Sequence, residues 1–233
     1  MDKARFRRVF DHWKGLVHQI DAVDWLFDRI PEDVRRQFGV RFSPPVPTQG
    51  KAAGKAPYMH LTASGNWNQS GTLQLLHLDF YLGPYRKARI KAYSGAPGMQ
   101  HSKYFREASK SIPLTNEPIP EGKWVLPGKP GAPDTTLEWA AGMDDYSSTW
   151  GPGIGPVWVS LEYAGPGTTR RSAIGIHLDD NVRWAPGSAG CIVLPTKEDL
   201  RYFVTCMRQY DPRVLWVDWG RGTVPTLPSL FRL

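Results

Sequence analysis

The chain has 233 residues, 41% hydrophobic and 12% aromatic, with a net charge of +7. That apolar content excludes wholesale disorder, and the length suits one good-sized domain with an appendage or two small ones. Its 23 glycines and 21 prolines argue for a turn-rich β body over a helical bundle, and no apolar run approaches the ~20 residues that cross a bilayer.

Residues 3 to 40 read as helical: Val9, Phe10, Trp13, Leu16, Val17 and Ile20 recur at the spacing of one helix face. Asp21 or Asp24 would cap a second short helix, and Pro31 opens a third. Residues 1–42 are therefore expected to be a helical N-terminal region, and residues 43–57, rich in Pro, Gly and Ala, a linker. Residues 58–233 carry the expected main domain. There Leu73 to Leu82 is an apolar run between Ser70-Gly71 and Gly83-Pro84, and Ala88 to Tyr93 alternates. Strands are further expected at Lys123 to Leu126, Val157 to Tyr163, Ala173 to His177 and Val214 to Trp219. Thr196-Lys197-Glu198-Asp199 has the form of a helix start, and Leu200, Phe203, Val204 and Met207 make one apolar face. The sum is a mostly antiparallel β domain with one packed helix. The loops at 99–117 and 128–156 are long enough to carry function.

The chemistry concentrates in Ile174 to Pro195. A short apolar run delivers His177; a loop rich in Gly, Pro, Asn and Ser follows; Ser188-Ala189-Gly190-Cys191 then opens a second apolar run. A thiol becomes a nucleophile when a base can take its proton, and His177 is the candidate base for Cys191. N–H groups around Gly190 and Cys191 could form an oxyanion hole. Cys206 sits beside Val204 and Met207 inside the expected helix, away from any turn, and reads as structural. Two cysteines make neither a disulfide framework nor a ligand set, and no His-Glu-x-x-His or Cys-x-x-Cys pair occurs, so no metal and no cofactor is expected.

Ile176-His177, the Gly/Pro loop and Ser188-Ala189-Gly190-Cys191-Ile192 resemble the signature of the L,D-transpeptidase catalytic domain family. The order of the strand from Leu73, the Tyr93-Ser94-Gly95 turn, the Pro118 to Gly122 entry into Trp124-Val125-Leu126, and the Leu194-Pro195 helix entry is similar too. The resemblance spans about residues 70 to 219. It implies an L,D-transpeptidase-like β-sandwich in which a cysteine attacks a peptidoglycan stem peptide, releases the terminal D-residue and forms an acyl-enzyme. Water resolves that intermediate in a carboxypeptidase and an amine resolves it in a transpeptidase. The resemblance makes Cys191 the nucleophile and His177 the base, with Ser188 steadying the site and Gly190 allowing the tight turn. The sequence departs from the family at Leu178, where glycine is usual, at Ala189, which replaces a second histidine, and at Val193, which replaces an arginine. Arg183, Arg170 or Arg171 could restore that charge, and Arg183 and Trp184 are the candidate substrate-binding residues. With the acceptor side altered, hydrolysis is expected ahead of cross-linking.

The basic charge favours a polyanionic partner such as nucleic acid, anionic lipid or an anionic wall polymer, or serves solubility alone. No dense Lys/Arg patch interleaved with aromatics occurs, so nucleic acid is the weaker of these, and the family resemblance implies a peptidoglycan stem peptide as partner. The basic N-terminus lacks an apolar signal segment, so synthesis in the cytoplasm and action at the cell wall or periplasm would suit a phage lysis protein or a delivered antibacterial effector. The alternative from another class is a catalytically silent cell-wall or glycan-binding module, motivated by ten tryptophans able to stack on sugars.

Overall fold

The computed structural model describes residues 56–100, 108–113 and 115–220. The N-terminal helices expected at 1–42 lie outside them, as does the linker apart from Ala56 and Pro57, which enter the first strand.

Nine strands and one α-helix follow among the described residues: β1 (Pro57–Trp67), β2 (Gln74–Leu82), β3 (Tyr85–Ser94), β4 (Gly122–Val125), β5 (Glu138–Trp139), β6 (Val157–Tyr163), β7 (Ile174–Leu178), β8 (Ile192–Leu194), α1 (Lys197–Tyr210) and β9 (Val214–Asp218). β1, β2 and β3 form an antiparallel meander. Its second turn is only Gly83-Pro84, with Gly83 at φ +59°, a conformation that a side chain would disfavour. The sheet runs β4-β9-β1-β2-β3-β8-β7-β6, and β4 pairs with β6 as well as with β9. One continuous sheet thus closes on itself, which removes its open edges. The pairs β1–β9 and β7–β8 are parallel and the others antiparallel.

The mostly-β expectation with one packed helix therefore holds. Strand alternation sends Leu76, Leu78 and Phe80 of β2, Val157, Val159 and Leu161 of β6, and Leu215 and Val217 of β9 into one core. Helix α1 adds Leu200, Phe203, Val204 and Met207 to it, with the Phe203 ring edge-on to Phe80 at 5.9 Å. The start of α1 follows from Thr196. Its hydroxyl accepts the Asp199 N–H at 3.0 Å and donates to the Asp199 carboxylate at 2.6 Å. The helix stops at Asp211, which adopts φ 48° and donates its N–H to the Met207 carbonyl just before Pro212. The short strand β5 lies inside the segment expected to be a long loop, and it pairs with the first residues of β6.

Candidate active site

Strands β7 and β8 separate the two faces cleanly. Ile174, Ile176 and Leu178, with Ile192 and Leu194, join the core. Alternation then places Gly175, His177, Cys191 and Val193 on the other face. Register carries this face across four strands: Tyr93, Val193, His177 and Trp158 form one row over β3, β8, β7 and β6. The adjacent row holds Ser160 and Gly175, with Cys191 one residue before the Ile176–Ile192 pair. Cys191 and His177 are thus diagonal neighbours on one face of adjacent strands.

Gly175 explains how the rows fit. A Cβ there would stand 2.5 and 2.6 Å from Trp158 ring carbons, because that ring lies across the glycine. The same ring stacks on His177, with centroids 5.3 Å apart and planes 14° from parallel. Trp158 Nε1 donates to Ser160 Oγ at 2.9 Å, and Ser160 Oγ donates to Glu138 at 2.7 Å, so the indole is pinned at its far end.

His177 is buried, and its Nδ1 lies 2.8 Å from the Leu178 carbonyl. A carbonyl only accepts, so the proton belongs on Nδ1 and the lone pair on Nε2, the form a general base needs. Burial pulls the imidazole below its usual titration range, while the Leu178 and Gly153 carbonyls favour the protonated ring.

The turn that presents Cys191 is built on Ser188. Its hydroxyl donates to the Cys191 carbonyl at 2.6 Å and accepts the N–H groups of Gly95 and Gly190, each at 3.2 Å. The Gly190 N–H is therefore engaged in holding the turn. Gly190 adopts φ +124°, and a Cβ on it would collide with Nη2 of Arg171. Arg171, only 6% exposed, donates to the carbonyls of Ala189 (2.7 Å) and Glu117 (3.2 Å) and to Ser111 Oγ (3.1 Å). The half-buried thiol sits 3.7 Å from the Ala173 carbonyl. Burial pushes this thiol above its ordinary range, opposed by a hydrogen bond from the Gly175 N–H and by the Arg171 charge. Among the described residues the Cys191 and His177 side chains share no direct hydrogen bond in this resting arrangement; each holds its own carbonyl.

Ala189, Arg183 and Trp184 are exposed, Trp184 at 86%, and neither of the latter two reaches Cys191 or His177 by a hydrogen bond. Their loop is tied down at both ends. Asp179 accepts the Gly187 N–H at 2.8 Å, and Asp180 accepts the Gly153 N–H at 2.6 Å. Asp179 is buried with Oδ1 lacking a hydrogen-bond partner, and burial raises its carboxyl to about 6. Cys206 is buried in α1 and its thiol is pushed up to about 12, a structural cysteine. Among the described residues no three His, Cys, Asp or Glu side chains gather as a metal site, and no helix is long and apolar enough to cross a membrane.

Sequence reasoning passed over Trp158 and Gly175 and named Arg171 only as one of three interchangeable cations. A glycine between two isoleucines of a buried strand was the available signal, because such a glycine marks close approach of another group. Compared with protein-family models, with curated proteins and with solved structures, the chain matches none.

Proposed function

We propose that the chain is a cysteine-dependent enzyme of peptidoglycan stem peptides, working through an acyl-enzyme on Cys191. The observation that carries this reading is the shared face of β7 and β8, where Cys191 leaves a glycine turn diagonal to a histidine whose Nδ1 faces the Leu178 carbonyl, the tautomer that puts the lone pair on Nε2. In the reaction His177 takes the thiol proton, directly once substrate draws the side chains together or through one water. The thiolate attacks the carbonyl after the diamino acid, the C–N bond breaks, and the imidazolium returns the proton to the departing amine of the D-residue. Water or a second amine then attacks the thioester and frees Cys191. Hydrolysis, giving an L,D-carboxypeptidase or peptidase, is placed ahead of L,D-transpeptidation because Val193 lies buried in the row with His177 where the family resemblance calls for arginine. The site of action is the cell wall or periplasm, as for a phage lysis protein or a delivered antibacterial effector.

The test is digestion of muropeptides by the wild-type protein and by Cys191→Ala, with products resolved by mass. Loss of a terminal D-residue, or new cross-links, in the wild-type reaction alone supports the proposal; identical profiles overturn it. A second reading, a silent wall-binding module, draws on the thiol's contact with Ala173 instead of His177 and on the exposed Trp67, Trp150 and Trp184. It predicts that sacculi retain the protein and that His177→Ala leaves the reactivity of Cys191 unchanged.

A further inference from the structure

Arg171 is an expensive residue to bury. A guanidinium keeps its charge at every accessible pH, so removal from water has to be offset by partners that surround it. Its hydrogen bonds go to two carbonyls and a hydroxyl: the Ala189 carbonyl belongs to the turn before Cys191, while the Glu117 carbonyl and Ser111 Oγ come from the 108–121 segment packed against it, so the guanidinium ties the two together. The backbone has made room for it. Gly190 takes φ +124°, and the position its Cβ would fill is taken by the guanidinium itself. Beyond that glycine stands Cys191, whose charge and that of Arg171 act on one another. The other titratable groups around this pair are Glu117, a buried carboxyl whose charge acts on Arg171 ahead of that of Cys191, and His177 along β7.

We propose that Arg171 is the positioning residue that holds the Cys191 thiolate, fixing the turn through the Ala189 carbonyl and supplying the positive charge beside the sulfur. The role differs from substrate binding, because the guanidinium is buried behind the turn. It supplies to the thiolate what a direct Cys–His ion pair would otherwise give. Since His177 is held neutral by burial and is hydrogen-bonded to Leu178 in the resting arrangement, the turn needs another source of positive potential. The inference rests on the reading of Cys191 as the nucleophile, but its test needs no muropeptide.

The rate at which iodoacetamide alkylates the intact protein is measured against pH. The thiolate displaces iodide, and the thiol proton passes to buffer. Cys206, buried in α1, stays silent, and Cys191→Ala gives the blank. Arg171→Met should move the midpoint upward by about one unit, slowing alkylation about tenfold near neutral pH, and Arg171→Lys should recover most of the loss because it restores charge. A folded Arg171→Met protein with the wild-type midpoint overturns the proposal. Should Arg171→Met not fold, the wild-type protein decides: the Arg171 Nε–H resonance should shift with the Cys191 titration and stay still in Cys191→Ala. A resonance indifferent to thiol ionisation overturns it equally. If alkylation behaves as expected while muropeptides remain uncut, the thiolate site stands and the substrate reading fails.

Discussion

Gly175→Ala is the sharpest probe of how the two rows pack. The added methyl would stand 2.5 and 2.6 Å from two Trp158 ring carbons and 2.8 Å from the Val159 carbonyl oxygen. Comfortable carbon–carbon contact begins near ~3.5 Å, so the indole has to withdraw by about 1 Å. It cannot swing freely, being stacked on His177 and tied through Ser160 to Glu138. The backbone oxygen of Val159 does not yield without moving β6. Overpacking of this kind costs about 1–3 kcal/mol, against which alanine recovers roughly 0.5–1 kcal/mol over glycine in a strand. A net loss of about 1–2 kcal/mol lowers Tm by roughly 2–8 °C for a domain of this size. Thermal unfolding followed by circular dichroism measures it. The measurement is repeated in a Trp158→Leu background, where two of the three close contacts are gone. There the same substitution should cost less than half as much, a coupling above ~0.5 kcal/mol. Equal costs in the two backgrounds, or no cost in the first, would refute the packing of Trp158 over Gly175.

Other expectations follow from single residues. Ser188→Ala removes three hydrogen bonds from the turn that presents Cys191 and should cost about 1–3 kcal/mol in urea unfolding, together with a change in the Cys191 alkylation rate. Asp179, raised by burial from an ordinary 3.8 to about 6, favours the protonated carboxyl in the fold. Its contribution is full below about 3.8 and is lost as pH rises through about 6, so Asp179→Asn should raise Tm over wild type near pH 8 and change little near pH 4. His177 has the opposite sign. Its imidazole is held below 6.5, so its contribution is full above that value and is lost as pH falls toward the lower folded value; a His177→Gln chain should show a shallower loss of stability on mild acidification. Thr196→Ala removes the α1 cap and should cost about 1 kcal/mol, with no change in alkylation of Cys191.

The strands were legible because their alternation is local. Leu76, Leu78 and Phe80 announce β2, and Val157, Val159 and Leu161 announce β6. The Thr196 to Asp199 spacing likewise announced α1. Closure of the sheet was not legible. It depends on β4 pairing with both β6 and β9, partners some 40 and 90 residues away along the chain, and no short-range pattern encodes such pairings. In the site, the glycine turn and the histidine were legible as a motif. Their diagonal placement comes from the parallel register of β7 and β8, and the contact of Arg171 with Gly190 comes from chain packing across 18 intervening residues. Arg170 and Arg171 are adjacent in sequence, yet only one is buried behind Cys191; composition gave no means of choosing.

The proposed function requires that Cys191 form a thioester with a stem peptide. Intact-protein mass spectrometry after acid quenching of a reaction with a stem tetrapeptide tests it most directly. The expected result is a mass increase equal to the peptide less its terminal D-residue, located on Cys191 by digestion and absent from Cys191→Ala. No adduct at any quench time, with muropeptides unchanged, would contradict it.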